Sequence, residues 1–134
     1  MNYLLDTNII SAILKQNHQV LIKVRLAQRL GKKIFISSMT YYEIKRGLLV
    51  SQASQKLNLF NQLLIDCEMI GIDSEKVLDK AATIYAHLKR QGELLPDADI
   101  LIAATAQSHH LILVTDDSHF NRIDKLQLEN WVRK

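Results

Sequence analysis

The chain has 134 residues, of which 48% are apolar and 23% are charged, a balance typical of one folded domain spanning residues 1–134. The longest strongly apolar run, 100–106, is far shorter than the ~20 residues that cross a bilayer, so we expect no membrane span. An early acid and no preceding basic residue argue against a signal peptide, and a single cysteine excludes a disulfide framework, so the cytoplasm is the expected compartment. The four glycines lie far apart, which excludes a glycine-rich nucleotide cradle.

The positive charge is concentrated in the first part of the chain. Residues 1–56 contain nine basic and two acidic side chains, whereas residues 57–134 contain eight basic and twelve acidic ones. This asymmetry fits a polyanionic partner for the first part, and it fits a solvated basic helix surface equally well. The two acids within the basic part, Asp6 and Glu43, are therefore the first candidates for a functional role.

Short apolar runs alternate with amphipathic segments along the chain. Apolar runs predict strands at 3–5, 34–36, 69–72 and 111–114, with a last short strand at 126–128. Helical spacing predicts helices at 8–14, 20–30, 40–50, 54–64 and 98–108, and a long helix after Asp73 as its N-cap. Continuous apolar strands indicate burial on both faces, and the intervening helices indicate crossover connections. The sequence therefore predicts an α/β fold, a three-layer sandwich with a short, mainly parallel central sheet flanked by helices.

Several acids follow predicted strands or begin predicted helices. They are Asp6 after the first strand, Glu43 in the first turn of one helix, Asp97 and Asp99 at the start of another, and Asp116 and Asp117 after the strand at 111–114. Because sites in parallel α/β sheets form beyond the carboxyl ends of the strands, these carboxylates are expected to share one crevice. Two carboxylates about 4 Å apart repel by about 4 kcal/mol at an effective dielectric near 20. A hard divalent cation such as Mg²⁺ or Mn²⁺ prefers oxygen ligands and would offset that repulsion.

The same acids also have structural interpretations. Residues 40–43 fit the S/T-x-x-E capping box, in which Glu43 would bond the backbone of the first residue. Asp97 or Asp99 fits an N-cap or a favourable charge at a helix start, and the pair after the strand at 111–114 suits a turn. Asp6 fits a helix cap. Their joint position at one edge of the sheet favours the functional interpretation.

Four segments, in order along the chain, resemble the PIN-domain family. They are YLLDTN at 3–8, ISS at 36–38 with TYYEIKRG at 40–47, DADILIAA at 97–104 and LVTDDSHF at 113–120. The chain length and the tail LENW at 128–131 resemble most the VapC toxins of bacterial VapBC toxin–antitoxin pairs. The similarity extends over nearly the whole chain.

The resemblance implies a PIN-like fold and an Mg²⁺- or Mn²⁺-dependent endoribonuclease, held inactive by a VapB-like antitoxin and assembled as a homodimer. It implies four catalytic acids, Asp6, Glu43, Asp99 and Asp117, of which the first and the last two also bind metal. It implies supporting roles around the metal for Thr7, Asn8, Ser38, Asp97, Thr115 and Asp116. Lys45 and Arg46 stand where many relatives are apolar, and we expect them to contact the RNA substrate.

The implied reaction is metal-assisted hydrolysis of RNA phosphodiester bonds, which needs no side-chain nucleophile. Two other functions stay open at this point: a housekeeping PIN nuclease that matures ribosomal RNA, and a catalytically inactive PIN-like RNA-binding module. RNA cleavage that EDTA abolishes distinguishes an enzyme from a binding module. An antitoxin reading frame beside the gene distinguishes a toxin from a housekeeping enzyme.

Overall fold

The computed structural model describes residues 1–133, and in this part of the chain strands and helices alternate as the apolar pattern predicts. The strands are β1 (Tyr3–Leu5), β2 (Ile34–Ser37), β3 (Glu68–Ile70), β4 (Ile112–Val114) and β5 (Leu128–Glu129). The helices are α1 (Thr7–Leu14), α2 (His18–Arg29), α3 (Ser38–Ser51), α4 (Ser54–Ile65), α5 (Glu75–Arg90) and α6 (Asp97–Ser108), and a 3₁₀ turn (Ser118–Arg122) follows β4.

The five strands form one sheet in the order β3-β2-β1-β4-β5. Every strand pairing within residues 1–133 is parallel. The central strand β1 pairs with β2 at Tyr3 and Ile34, and with β4 at Leu5 and Val114. This topology confirms the predicted α/β fold with its parallel sheet between helical layers.

Each face of the sheet is covered by its own apolar core. Leu4 and Leu113 point into the core formed with α5 and α6, whereas Leu5 and Val114 point into the core formed with α1 to α4. All four side chains are fully buried. Because successive strand residues face opposite sides of a sheet, a strand buried on both faces must be apolar throughout, as these two strands are.

The predicted cap of α5 was wrong by one residue. Ser74 is the N-cap, and its hydroxyl oxygen accepts a hydrogen bond from the Val77 amide at 3.2 Å. Asp73 therefore lies outside the helix. Two adjacent polar residues compete for such a position, and only the backbone conformation decides between them.

Two predicted strand ends were also shifted. β3 ends at Ile70 rather than at 72, because its partner β2 ends opposite at Ser37. β5 begins at Leu128, which pairs with Leu113, rather than at 126. In both cases pairing with a neighbouring strand, and not local apolarity, sets the bounds.

The carboxyl ends of β1 and β4 lie side by side at the middle of the sheet. The amide of Asp6 donates a hydrogen bond to the carbonyl of Val114 at 2.9 Å, which joins the first residue after β1 to the last residue of β4. The acids that follow these two strands are therefore neighbours. No helix within residues 1–133 combines the length and apolarity needed to cross a membrane.

Candidate active site at the carboxyl edge of the sheet

A cavity of about 580 Å³ opens at the carboxyl edge of the sheet, and we call it the acid cavity. Five carboxylates line it: Asp6 after β1, Glu43 on α3, Asp99 on α6, and Asp116 and Asp117 after β4. Thr7 and Asn8 of α1 line it as well. The structure thus brings together carboxylates that are widely separated along the chain.

Asp6 is the most tightly held acid of the cavity. It is only 4% exposed and is the N-cap of α1, with its Oδ1 accepting from the Thr7 amide at 2.8 Å. Its Oδ2 accepts from the Thr115 hydroxyl at 2.7 Å and from Asn8 Nδ2 at 3.1 Å. The structural interpretation of Asp6 as a cap is therefore correct, and the same carboxylate also lines the cavity.

Glu43 faces the cavity from α3 and does not cap that helix. Ser37 is the N-cap, its hydroxyl oxygen accepting from the Thr40 amide at 3.1 Å, so α3 begins two residues before the predicted start. The capping-box interpretation of Glu43 is therefore wrong. Its Oε1 accepts a hydrogen bond from the Thr7 hydroxyl at 3.0 Å, which ties α3 to the start of α1.

Asp97 and Asp99 both lie in the first turn of α6, but they occupy different environments. Pro96 is at the N-cap position, and neither acid caps the helix with its side chain. Asp99 is half-buried and lines the acid cavity, whereas Asp97 is exposed and lies outside the lining. Residues two apart on a helix point about 200° away from each other, which accounts for the difference.

Asp117 and Asp116 are fixed by different partners. The Asp117 carboxylate caps the 3₁₀ turn, with Oδ1 accepting from the His119 amide at 2.9 Å and lying 3.3 Å from His119 Nδ1. The Asp116 Oδ1 accepts from Asn130 Nδ2 at 2.8 Å and lies 3.0 Å from Arg133 Nε. Asp116 therefore binds the C-terminal segment, and Asp117 is the less neutralised of the two.

The crowding of carboxylates affects their protonation. Burial, and then the charges of Asp6, Asp117 and Glu43, raise the pKa of Asp99 from 3.8 to about 6. Burial also raises the pKa of Asp6, although its hydrogen bonds from Thr115 and Thr7 act in the opposite direction. Negative charge in this cavity is therefore unfavourable until a cation neutralises it.

The donor set suits a hard divalent cation held loosely. Carboxylate oxygens are the ligands that Mg²⁺ and Mn²⁺ prefer. Within residues 1–133, however, no three His, Cys, Asp or Glu side chains converge closely enough to form a complete metal cage. Mg²⁺ commonly keeps several of its waters and does not need a closed protein cage, so the separated acids fit this ion better than one that needs such a cage.

Five residues predicted for the site are not among the lining residues of the acid cavity: Ser38, Lys45, Arg46, Asp97 and Thr115. Of these, Thr115 contacts the cavity acid Asp6 through its hydroxyl. Ser38 is half-buried at the start of α3, and Lys45 is half-buried further along the same helix. The Arg46 guanidinium lies 5.0 Å from the ring centroid of Tyr42, on the exposed side of α3.

Three polar lining residues were missed by the sequence interpretation: Ser11, Lys15 and Asn17. Ser11 lies one helical turn after Thr7 and Asn8, and this spacing on α1 is the signal that could have found it. Lys15 and Asn17 are near the end of α1, and only the packing of that helix across the sheet edge places them here.

The PIN domain family model matches residues 3–126. Ribonuclease VapC2 of Haemophilus influenzae is 31% identical over 134 residues, covering 98% of this chain and 99% of that protein. The tRNA(fMet)-specific endonuclease VapC of Shigella flexneri is 33% identical over 136 residues, covering 98% of each. A chain of the crystal structure of VapBC2 from Rickettsia felis, bound to promoter DNA, superposes with a TM-score of 0.87 at 30% identity, covering 98% and 99%. The chain therefore belongs to the PIN-domain family, and within it to the VapC ribonucleases.

Proposed function

We propose that this protein is the toxin of a type II toxin–antitoxin pair and an Mg²⁺- or Mn²⁺-dependent endoribonuclease that hydrolyses RNA phosphodiester bonds. Residues 1–134 act as one nuclease domain in the cytoplasm. The observation that carries the proposal is the convergence of Asp6, Glu43, Asp99 and Asp117 in one cavity. These acids come from four separate elements, so no single helix cap or turn explains their meeting.

PIN-domain ribonucleases generally depend on a divalent metal. In this chain Asp6, Asp99 and Asp117 would hold the cation, and Glu43 would complete the acid set. A bound Mg²⁺ or Mn²⁺ supplies an activated water and stabilises the charge that develops on the phosphate. The observation that supports this assignment is the raised pKa of Asp99, which reflects first its burial and then the negative charges of Asp6, Asp117 and Glu43.

The protein itself contributes rigid positioning. Thr115, Asn8 and the Thr7 amide fix both oxygens of Asp6, while the Thr7 hydroxyl orients Glu43. Thr115 Oγ1 also accepts a hydrogen bond from the Asp117 amide at 3.0 Å, so the loop after β4 is set by the same hydroxyl. Ready-made positions of this kind lower the entropic cost of arranging the reacting groups.

We further propose a VapB-like antitoxin as the partner and a homodimer as the assembly. The related Rickettsia felis structure is a VapBC complex. Apolar side chains at the ends of α3 and α4 are strongly exposed, with Val50 86% and Ile65 82% accessible. Burying such side chains against another chain would stabilise the complex by about 25 cal/mol for each Å² of apolar surface removed from water.

The test is to purify the chain alone and with the product of the neighbouring reading frame, and to incubate each with cellular RNA. We expect cleavage by the free chain in Mg²⁺ or Mn²⁺, none in EDTA, and little by the complex. Asp99→Asn should be inactive under all conditions. RNA binding without any cleavage would instead identify an inactive binding module, and cleavage in EDTA would contradict the metal-dependent mechanism.

A further inference from the structure

We infer that single-stranded RNA reaches the acid cavity along a groove whose two lysines, Lys15 and Lys56, bind its backbone phosphates; this inference rests on the ribonuclease function proposed above. The groove, which we call the lysine groove, has a volume of about 260 Å³ and runs between α1, α3 and α4. It shares four lining residues with the acid cavity, namely Thr7, Ser11, Lys15 and Glu43. The two spaces therefore lie next to each other, on either side of these four residues.

The charge on the lining explains why a cation is needed at this junction. A scissile phosphodiester carries a negative charge and must approach the cluster of carboxylates. Among the lining residues of the acid cavity, all of which lie within residues 1–133, Lys15 is the one cation. It stands where the cavity meets the lysine groove, so it can offset the repulsion on a phosphate next to the scissile one.

Both lysines are free to bind a ligand. They are exposed, and within the described part of the chain neither forms an ion pair with a carboxylate. Lys15 is the C-cap of α1, and its structural bonds run from its backbone amide to the carbonyls of Ser11 and Ile13. Its side chain is therefore not needed to end the helix.

The shape and chemistry of the lysine groove favour one RNA strand. Leu14, Ile44 and Leu48 line the same groove as the two lysines and supply apolar surface against which a ribose or base can pack. Single-stranded segments are also the usual targets of sequence-specific RNA recognition, because their bases can be splayed and stacked.

Fluorescence anisotropy of RNA binding tests the inference. The variants are Lys15→Gln and Lys56→Gln, each combined with Asp99→Asn so that the RNA is not cleaved. The probe is a short, labelled single-stranded RNA of mixed sequence in MgCl₂ at several salt concentrations. We expect each substitution to weaken binding about tenfold and to lower the slope of log K against log salt by about 0.7. Lys15→Arg should restore binding, and Lys76→Gln on α5, an exposed lysine outside both cavities, should leave it unchanged.

Unchanged affinity and salt slope in both groove variants would overturn the inference. So would variants that lose antitoxin binding while binding RNA normally, because the groove would then be a protein-docking site. An equal loss of RNA binding in Lys76→Gln would show a general charge effect and would also overturn it. Failure of the otherwise unmodified chain to cleave RNA would instead count against the proposed function.

Discussion

The hydroxyl of Thr115 donates a 2.7 Å hydrogen bond to the carboxylate of Asp6, and this bond joins residues 109 positions apart. The same hydroxyl oxygen accepts from the Asp117 amide at 3.0 Å and from Asn8 Nδ2 at 3.2 Å. One buried side chain thus sets the positions of the acids that follow both central strands. Thr115 therefore contributes both to the stability of the fold and to the geometry of the candidate site.

We predict that Thr115→Val lowers both stability and activity. Valine keeps the shape but removes the donor to Asp6, so the free energy of unfolding should fall by about 1–2 kcal/mol. Cleavage should fall more than stability alone explains, because Asp6 loses its fixed position. Urea unfolding in EDTA and initial cleavage rates in Mg²⁺ measure the two effects.

Thr105→Val is the matched control for that change. Thr105 is fully buried, and its hydroxyl donates to the Leu101 carbonyl at 2.7 Å within α6, so valine there removes a comparable hydrogen bond from the interior of the protein. The cleavage activity of the Thr105→Val variant should stay near normal under conditions in which the variant is folded. An equal loss of activity in both variants would show that Thr115 acts through stability alone.

The sequence predicted the sheet because its central strands are buried on both faces. Leu4 and Leu5, on opposite faces of β1, are both fully buried, and such continuous apolarity is a local signal. The choice of Ser74 rather than Asp73 as a cap has no comparable local signal, because both residue types cap well. Bounds set by pairing, as at Ile70, depend on a partner strand far away in sequence.

The positions of several acids of the candidate site could also be predicted from the sequence. Asp6 and Asp117 follow strands, and a parallel sheet brings the carboxyl ends of its strands to one edge. Lys15 could not be placed in the same way, because its position depends on how α1 crosses that edge. The pairing of Asp116 with Arg133 depends on the return of the chain after β5, which no local pattern specifies.

Glu43→Gln should fold normally and lose cleavage. Glutamine keeps an oxygen that can accept the Thr7 hydroxyl, now bonded to Glu43 at 3.0 Å, so stability should change by less than about 0.5 kcal/mol. The substitution removes the negative charge of one of the four proposed catalytic acids, so cleavage should stop. Thermal unfolding and a cleavage assay on the same preparation separate the two effects, and full activity would refute a catalytic role for Glu43.

Charge reversal of Lys45 and Arg46 to glutamate should weaken RNA binding and flatten its salt dependence, by about 0.7 in slope for each phosphate that is no longer neutralised. The matched control reverses Lys89 and Arg90 on α5, where Lys89 lies 5.9 Å from the Tyr85 ring, much as Arg46 lies near Tyr42. Anisotropy titrations at several salt concentrations give the slopes. An unchanged slope in the α3 variant would place the RNA path elsewhere.

The metal-free protein should become less stable as pH rises from about 4 to above 6. The pKa of Asp99 is raised from 3.8 to about 6, so the folded chain binds a proton that the unfolded chain has already lost in this range. The free energy of unfolding is therefore highest at a pH below the pKa of Asp99 in the unfolded chain, and it declines as Asp99 of the folded chain ionises. Urea unfolding in EDTA across this range should show the decline, and Asp99→Asn should reduce it, leaving the part that comes from Asp6.

Asp99 and Asp97 provide the sharpest test of the candidate site, because they lie in the same turn of α6 and differ in the direction of their side chains. Asn is nearly isosteric with Asp, so Asp→Asn changes charge with little change in shape or helix-start preference. Asp99 lines the acid cavity and is repelled by Asp6, Asp117 and Glu43, so Asp99→Asn should abolish cleavage and leave the metal-free protein as stable or slightly more stable. Asp97 is exposed outside the lining, so Asp97→Asn should retain measurable cleavage. Cleavage rates and EDTA melting curves for both variants give the answer, and activity that survives in Asp99→Asn but vanishes in Asp97→Asn would reverse the assignment.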